Sequence, residues 1–230
     1  MTKNELVISQ VIEIKKSIAD FMVTLADYAN KNDCLHITQQ QKSFFAFISK
    51  QIIFLKEIYE RKHDYNLKVL ISDYYNYIVS IIKNETRYIY VNERSIIENY
   101  VRWLTYIDIE EDYITNNSFI KLKEKKDILK LTDAEFSLIK NEYTVSCGYI
   151  HGSKLLNDNL TYVFCQCISN TGQLKNQNNY FKNIINMIKL FNKMVVCMYY
   201  ELLDITFFRR KSVLKYLIGD KLVDMIFSYR

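Results

Sequence analysis

The chain contains no proline and only four glycines in 230 residues, against usual shares of about 5% and 7%. Without these two turn-formers the many tight turns of a β-sandwich or barrel have little to build on, and long helices are favoured. The glycine shortage also excludes the G-x-G-x-x-G and G-x-x-x-x-G-K-[ST] loops, and with them the enzymes that cradle nucleotide phosphates on such loops. Long apolar runs are missing as well. The greasiest stretch, Ile184 to Phe208, is interrupted by Lys189, Lys193, Glu201 and Asp204, so no run of ~18 apolar residues offers a membrane span. The first residues, Met1 to Glu5, lead into a charged amphipathic stretch and not into the apolar core of a signal peptide, and the expected location is cytoplasmic. With only three histidines, no Ser-His-Asp or Cys-His arrangement can be drawn without inventing its geometry.

What is present describes a globular chain with ample core material: 49% hydrophobic residues, 25% charged and a net charge of +5. Lys outnumbers Arg 24 to 7, and Asn, Ile, Tyr and Phe are abundant. An AT-rich genome produces that bias by itself, so the 14% aromatic content and the basic balance say little about nucleic acid. The charge is nonetheless uneven. Residues 1–118 carry 14 basic and 16 acidic side chains, and residues 119–230 carry 17 and 10, a bias that can focus positive potential on one face. Five cysteines, Cys34, Cys147, Cys165, Cys167 and Cys197, form an odd set that reads as reduced thiols.

The periodicity is helical almost throughout. Thr2 and Glu5 form a T-x-x-E capping box, and Val7, Val11, Ile14, Ile18, Phe21, Leu25 and Tyr28 continue in an unbroken 4-3 spacing. Thr38 and Gln41 open a second helix with Phe44, Ile48, Ile52, Leu55 and Tyr59 on one side, a third follows Asp64, and a fourth runs from about Glu85 to Ile107. The Asp108–Asp112 and Asn116–Ser118 clusters interrupt the pattern, and Thr132 with Glu135 caps a helix reaching His151. Residues 152–178 read as a long loop in which Leu160 to Ile168 has the character of a short β segment. Beyond it Phe181, Ile184, Ile185, Ile188, Val195, Met198 and Leu202 line a helix, and Ser212 offers a cap for a last helix that Gly219 bends or stops. The expected fold is a single all-α bundle of six to eight helices over residues 1–230: an N-terminal hairpin (1–62), a bundle (64–205) and a C-terminal helix (206–230). The heptad seam of residues 7–28 suits an interface as well as a core, so self-association is expected.

Two of the four glycines bracket a histidine, in the segment from Tyr143 to Ser153. Gly148 leaves the helix surface open one turn before His151, and Gly152 can end the helix directly after it. A projection at 100° per residue buries Phe136, Ile139, Tyr143, Ser146, Cys147 and Ile150 and leaves His151 at the margin, beside Lys140 and Thr144. A histidine satisfying a carbonyl at a helix end is one reading, and an acid–base residue is the other. In the fourth helix Arg94, Glu98 and Arg102 lie at i, i+4 and i+8 on one stripe. This is either a ladder of exposed ion pairs, each worth about 0.3–0.5 kcal/mol, or a pair of arginines held by Glu98 to bind phosphate oxygens.

A helix of the R-x-x-x-E type, followed some 50 residues later by one ending in Tyr143-x-x-Ser146-x-x-x-x-His151-Gly152, resembles the HEPN superfamily of helical bundles. The likeness is nearest to the divergent branches of abortive-infection and other phage-defence proteins of bacteria, and spans about residues 64–205. The resemblance implies RNA as partner and a metal-independent endoribonuclease, usually dimeric, built on an R-x(4–6)-H motif. His151 would act as general base on a ribose 2′-hydroxyl or as acid on the leaving oxygen, with no metal and no cofactor. The family's arginine is absent, since Thr144, Val145 and Ser146 stand where it belongs. Either Arg94, Arg102 or Lys140 supplies the cation, or the bundle is a non-catalytic module that scaffolds or regulates a partner protein.

The remaining clusters carry less. Cys165-x-Cys167 is too close for a zinc knuckle, Cys34 and His36 are isolated, and the Asp108–Asp112 run lacks the D-x-D-x-D-G loop pattern. Arg209, Arg210 and Lys211, with Lys215 nearby and Phe207, Phe208 and Tyr216 around them, form a small basic patch suited either to a nucleic-acid backbone or to a helix start.

Overall fold

In the computed structural model, residues 3–31, 37–107, 116–150, 161, 174 and 176–228 are described, and among them every regular element is an α-helix. The nine helices are α1 (Lys3–Lys31), α2 (Gln39–Lys62), α3 (Tyr65–Ile82), α4 (Thr86–Thr105), α5 (Asn116–Glu124), α6 (Asp133–Ile150), α7 (Gln177–Thr206), α8 (Lys211–Ile218) and α9 (Asp220–Ser228). The all-α bundle expected from the composition is therefore observed, with more helices than six to eight.

Helix starts follow their capping chemistry. Thr38 and Gln41 form the reciprocal box at α2, Asp64 accepts from the Asn66 amide at α3, and Thr132 and Glu135 exchange hydrogen bonds at α6. Glycine is so scarce that the left-handed positions between helices fall to other residues. His63, Asn84, Tyr106, Lys130 and Asn176 all have positive φ, each non-Asn case costing about 1–2 kcal/mol that the surrounding packing must offset. Among the described glycines the one with positive φ is Gly219, at φ 94° and ψ 157°, which separates α8 from α9.

Two expectations need correction, and a third falls almost wholly outside the described residues. The Asn116–Ser118 cluster opens α5 and does not break the pattern, because Phe119 and Leu122 bury their side chains. Ser212 lies within the first turn of α8, whose N-cap is Arg210 with no side-chain hydrogen bond, and the C-terminal segment is two short helices and not one. The proposed β segment at 160–168 lies outside the described residues except for Thr161, which is helical. Most of the long loop, including Cys165 and Cys167, also lies outside them, as do Cys34, His36 and Asp108–Asp112.

One buried cluster runs from Leu25 in α1 to Ile226 in α9. Its aromatic centre stacks Phe44 on Phe181 and Tyr100 on Phe191, each pair 4.3 Å apart. Helix α7 bends at Tyr199 (φ −129°, ψ 29°) without proline or glycine, where the ring stacks on Trp103 and the hydroxyl donates to the Trp103 carbonyl at 3.0 Å. Val11, Ile14 and Phe21 of the α1 seam pack against this same core, to which Leu25 belongs, and Ile18 is buried as well. No helix among the described residues is long and apolar enough to cross a membrane.

Candidate functional site

Helices α4 and α6 run antiparallel, for their contacts descend along α4 as they rise along α6. Near the middle of α4, Arg94 Nε donates to Glu98 Oε1 at 2.8 Å. The Tyr143 hydroxyl of α6 donates to the same oxygen at 2.9 Å, and the Arg94 guanidinium lies 5.6 Å from the Tyr143 ring centre. Three residues singled out in sequence are thus brought together, half-buried and not on an exposed ladder. Burial works against the Arg94 charge, but the Glu98 hydrogen bond and charge outweigh it and hold the guanidinium above its ordinary pKa. Burial and then Glu98 push the Tyr143 phenol upward, so it serves as a donor and not as a base. Beside them Asp73 of α3 accepts from Ser95 at 2.7 Å and Asn99 at 3.0 Å. Burial raises the Asp73 pKa, the two hydrogen bonds oppose this, and Glu98 adds to it.

The other expected members are placed differently. Arg102 is half-buried in the last turn of α4, two turns from Arg94. Ser146 is fully buried and donates to the Tyr143 carbonyl at 2.7 Å, so its hydroxyl is committed to its own helix and turned away from any ligand in solvent. Lys140 is exposed. His151 and Gly152 lie outside the described residues, the chain reaching them directly from Ile150, the last residue of α6.

At that end of α6 the structure places residues that the sequence reading passed over. Tyr149 stacks on Tyr90 of α4 with ring centres 3.8 Å apart and planes 7° from parallel. One turn earlier in α4, Arg87 Nη2 donates to the Ile150 carbonyl at 3.4 Å, a cation at a helix C-terminus where the macrodipole favours it. The carbonyl it reaches is bonded to the His151 nitrogen. Arg87 was detectable only from the antiparallel pairing of α4 and α6, which no local motif encodes.

Behind the stack lies a buried carboxyl. Glu93 is 1% exposed, and its Oε2 accepts from Tyr180 at 2.7 Å, whose hydroxyl is 2.5 Å from that of Tyr77. Its Oε1 has no hydrogen-bond partner. Burial pushes the Glu93 pKa up to about 8, Tyr180 opposes this and Glu142 adds to it, so Glu93 is largely protonated at pH 7. Glu142 of α6 is itself raised by burial, against a hydrogen bond from Asn183.

The basic patch is divided. Arg210 grips Glu57 of α2 through both nitrogens, at 2.9 and 2.5 Å, and so ties the turn after α7 to α2. The Lys211 ammonium sits 3.8 Å from the centre of the Phe227 ring. Neither presents its charge freely; Arg209 is exposed, and the exposed Lys215 pairs with Asp220 at 3.2 Å. Among the described residues no group of three or more His, Cys, Asp or Glu side chains is arranged to hold a metal ion. The chain matches no protein-family model, no curated protein and no solved structure.

Proposed function

We propose that the protein is a HEPN-like RNA-binding protein whose reactive end is the C-terminus of α6, with His151 as acid–base residue and Arg87 as the cation in metal-independent cleavage of RNA. The observation that carries this reading is the Arg87 hydrogen bond to the Ile150 carbonyl, which brings a guanidinium to the residue preceding His151 although the usual motif arginine is absent. A histidine titrating near neutrality suits proton transfer at a ribose hydroxyl, and a guanidinium suits the charge that develops on phosphorus. Arg94, Glu98 and Tyr143 act in this reading as the clasp that fixes α6 against α4. The biological setting that accompanies the resemblance is bacterial defence against phage, or a toxin system, in the cytoplasm and with self-association. The engagement of Arg94 Nε and the Tyr143 hydroxyl with Glu98 Oε1 favours a second reading, a non-catalytic helical module that scaffolds or regulates a partner protein.

One experiment separates them. Wild type, His151→Ala and Arg87→Ala are incubated with total RNA and a tRNA pool in EDTA, and new ends are mapped. The proposal expects cleavage leaving 2′,3′-cyclic phosphates, reduced by about 10²-fold or more in either variant. Cleavage undiminished by His151→Ala overturns the assignment. RNA retention without cleavage removes the catalytic half, and neither cleavage nor retention leaves the scaffold.

A further inference from the structure

Three of the seven arginines, Arg61, Arg209 and Arg210, converge on one cleft of about 400 Å³ formed by α1, α2 and the turn after α7. In a chain that uses Lys more than three times as often as Arg, such a concentration is not what composition supplies. Their roles differ. Glu57, one turn before Arg61 and positioned to neutralise it, is held bidentately by Arg210. Arg210 also donates to the Thr206 carbonyl at 3.4 Å, which leaves it a fixed strut. Arg61 and Arg209 are exposed and have no hydrogen-bond or ion-pair partner among the described residues. The wall between them is apolar and open to solvent, with Phe208 59% and Ile205 66% exposed. Two uncommitted planar cations beside an exposed aromatic face are the chemistry that recognises phosphate next to a flat heterocycle.

We propose that this cleft binds a nucleoside phosphate, with Arg61 and Arg209 gripping the phosphate and the Phe208 ring lying against the base. In RNA the same elements are a backbone phosphate and its neighbouring base, and that source rests on the reading above. A free mononucleotide presents the same chemistry without it. The cleft is built on α1, α2 and the α7–α8 turn, so it is a second site, distinct from the end of α6.

The test titrates the full chain with UMP, uridine and inorganic phosphate by calorimetry, and with a fluorescein-labelled oligouridylate by anisotropy. Arg61→Ala, Arg209→Ala, the double variant and Phe208→Ala are compared with Lys182→Ala, an exposed charge loss on α7, after circular dichroism has shown each to be folded. Each arginine variant is expected to weaken UMP about tenfold or more, and to flatten the salt dependence of oligouridylate binding by about one charge. Phe208→Ala is expected to weaken UMP but not inorganic phosphate, and Lys182→Ala to change neither. UMP binding without RNA binding keeps the cleft and removes the RNA reading. UMP binding that the double variant leaves unchanged overturns the cleft, whatever the result with RNA, and RNA binding that survives while UMP binding is lost keeps the cleft and places the RNA elsewhere. A wild type that binds neither UMP nor oligouridylate overturns both.

Discussion

Replacing Glu93 by Gln removes the ionisable carboxyl buried in the core. The folded protein holds this carboxyl at a pKa of about 8 against an ordinary 4.5. A pKa raised on folding contributes stability that is fully present below pH 4.5 and is lost as pH rises through the folded value of about 8. At pH 7 the gap from 4.5 is about 2.5 pH units, or about 3 kcal/mol at 1.36 kcal/mol per unit, and above pH 8 the loss approaches about 5 kcal/mol. Glutamine cannot ionise in the unfolded chain and escapes this loss. It keeps an oxygen to accept from Tyr180 but introduces an amide with donors facing a region where Glu93 Oε1 finds no partner, at a cost of about 1 kcal/mol. The net expectation is a variant about 2 kcal/mol more stable than wild type at pH 7, more so at pH 9, and slightly less stable at pH 5.

Urea denaturation at these three pH values checks it, followed by circular dichroism and by the fluorescence of Trp103, the sole tryptophan and 1% exposed. Glu142 also carries a raised pKa and adds its own slope to the wild-type curve. The difference between the two proteins is therefore the quantity to read. A difference that stays constant from pH 5 to pH 9 refutes the assignment of a raised pKa to Glu93.

Two further perturbations test the frame that positions the sites. Gly219→Ala places a Cβ that meets nothing within 4 Å, so its whole cost is the backbone at φ 94°; a loss of about 1–3 kcal/mol in urea is expected, and an unchanged midpoint contradicts it. A double-mutant cycle on Glu57→Gln and Arg210→Met, at side chains 25% and 29% exposed, is expected to give a coupling of about 1–2 kcal/mol. That lies between the values for exposed and buried pairs, and a coupling near zero removes the strut that leaves Arg61 unneutralised.

Local chemistry made much of the fold readable. The T-x-x-Q and T-x-x-E boxes at Thr38 and Thr132 and the cap at Asp64 each use a hydrogen bond within three residues, and all three start helices where expected. The Asn116–Ser118 cluster misled because residues that favour turns also favour helix N-termini, and the burial of Phe119 and Leu122 decides between the two. The same limit applied to the sites. The i, i+4 spacing of Arg94 and Glu98 was visible, and so was Tyr143 on the inner face of its helix. Glu93 shares the phase of Ile97, Tyr100 and Leu104, and its burial was legible from that spacing had charge not been taken as a sign of exposure. The Arg87–Ile150 and Arg61–Arg209 juxtapositions join residues 63 and 148 positions apart, and only the packed bundle brings them near one another.

On the proposed reading, packing accounts in part for where the motif arginine is missing. Of the places where an R-x(4–6)-H motif would put it, Ser146 is fully buried with its hydroxyl bonded to the Tyr143 carbonyl. A guanidinium there would have to be accommodated inside the core, at a cost of several kcal/mol unless a carboxylate pairs with it. Thr144 and Val145 are exposed, so packing excludes no cation at those two positions. What the bundle has instead is a clasp at three levels: Arg94–Glu98 on Tyr143, Tyr90 on Tyr149, and Arg87 on the Ile150 carbonyl. The first two levels fix the direction in which α6 runs along α4, and the third delivers a cation from α4 to its last carbonyl. If the end of α6 is reactive as proposed, a charge carried by the neighbouring helix stands in for one on α6 itself, which makes Arg87, and not Arg94 or Lys140, the residue whose removal most directly tests that proposal.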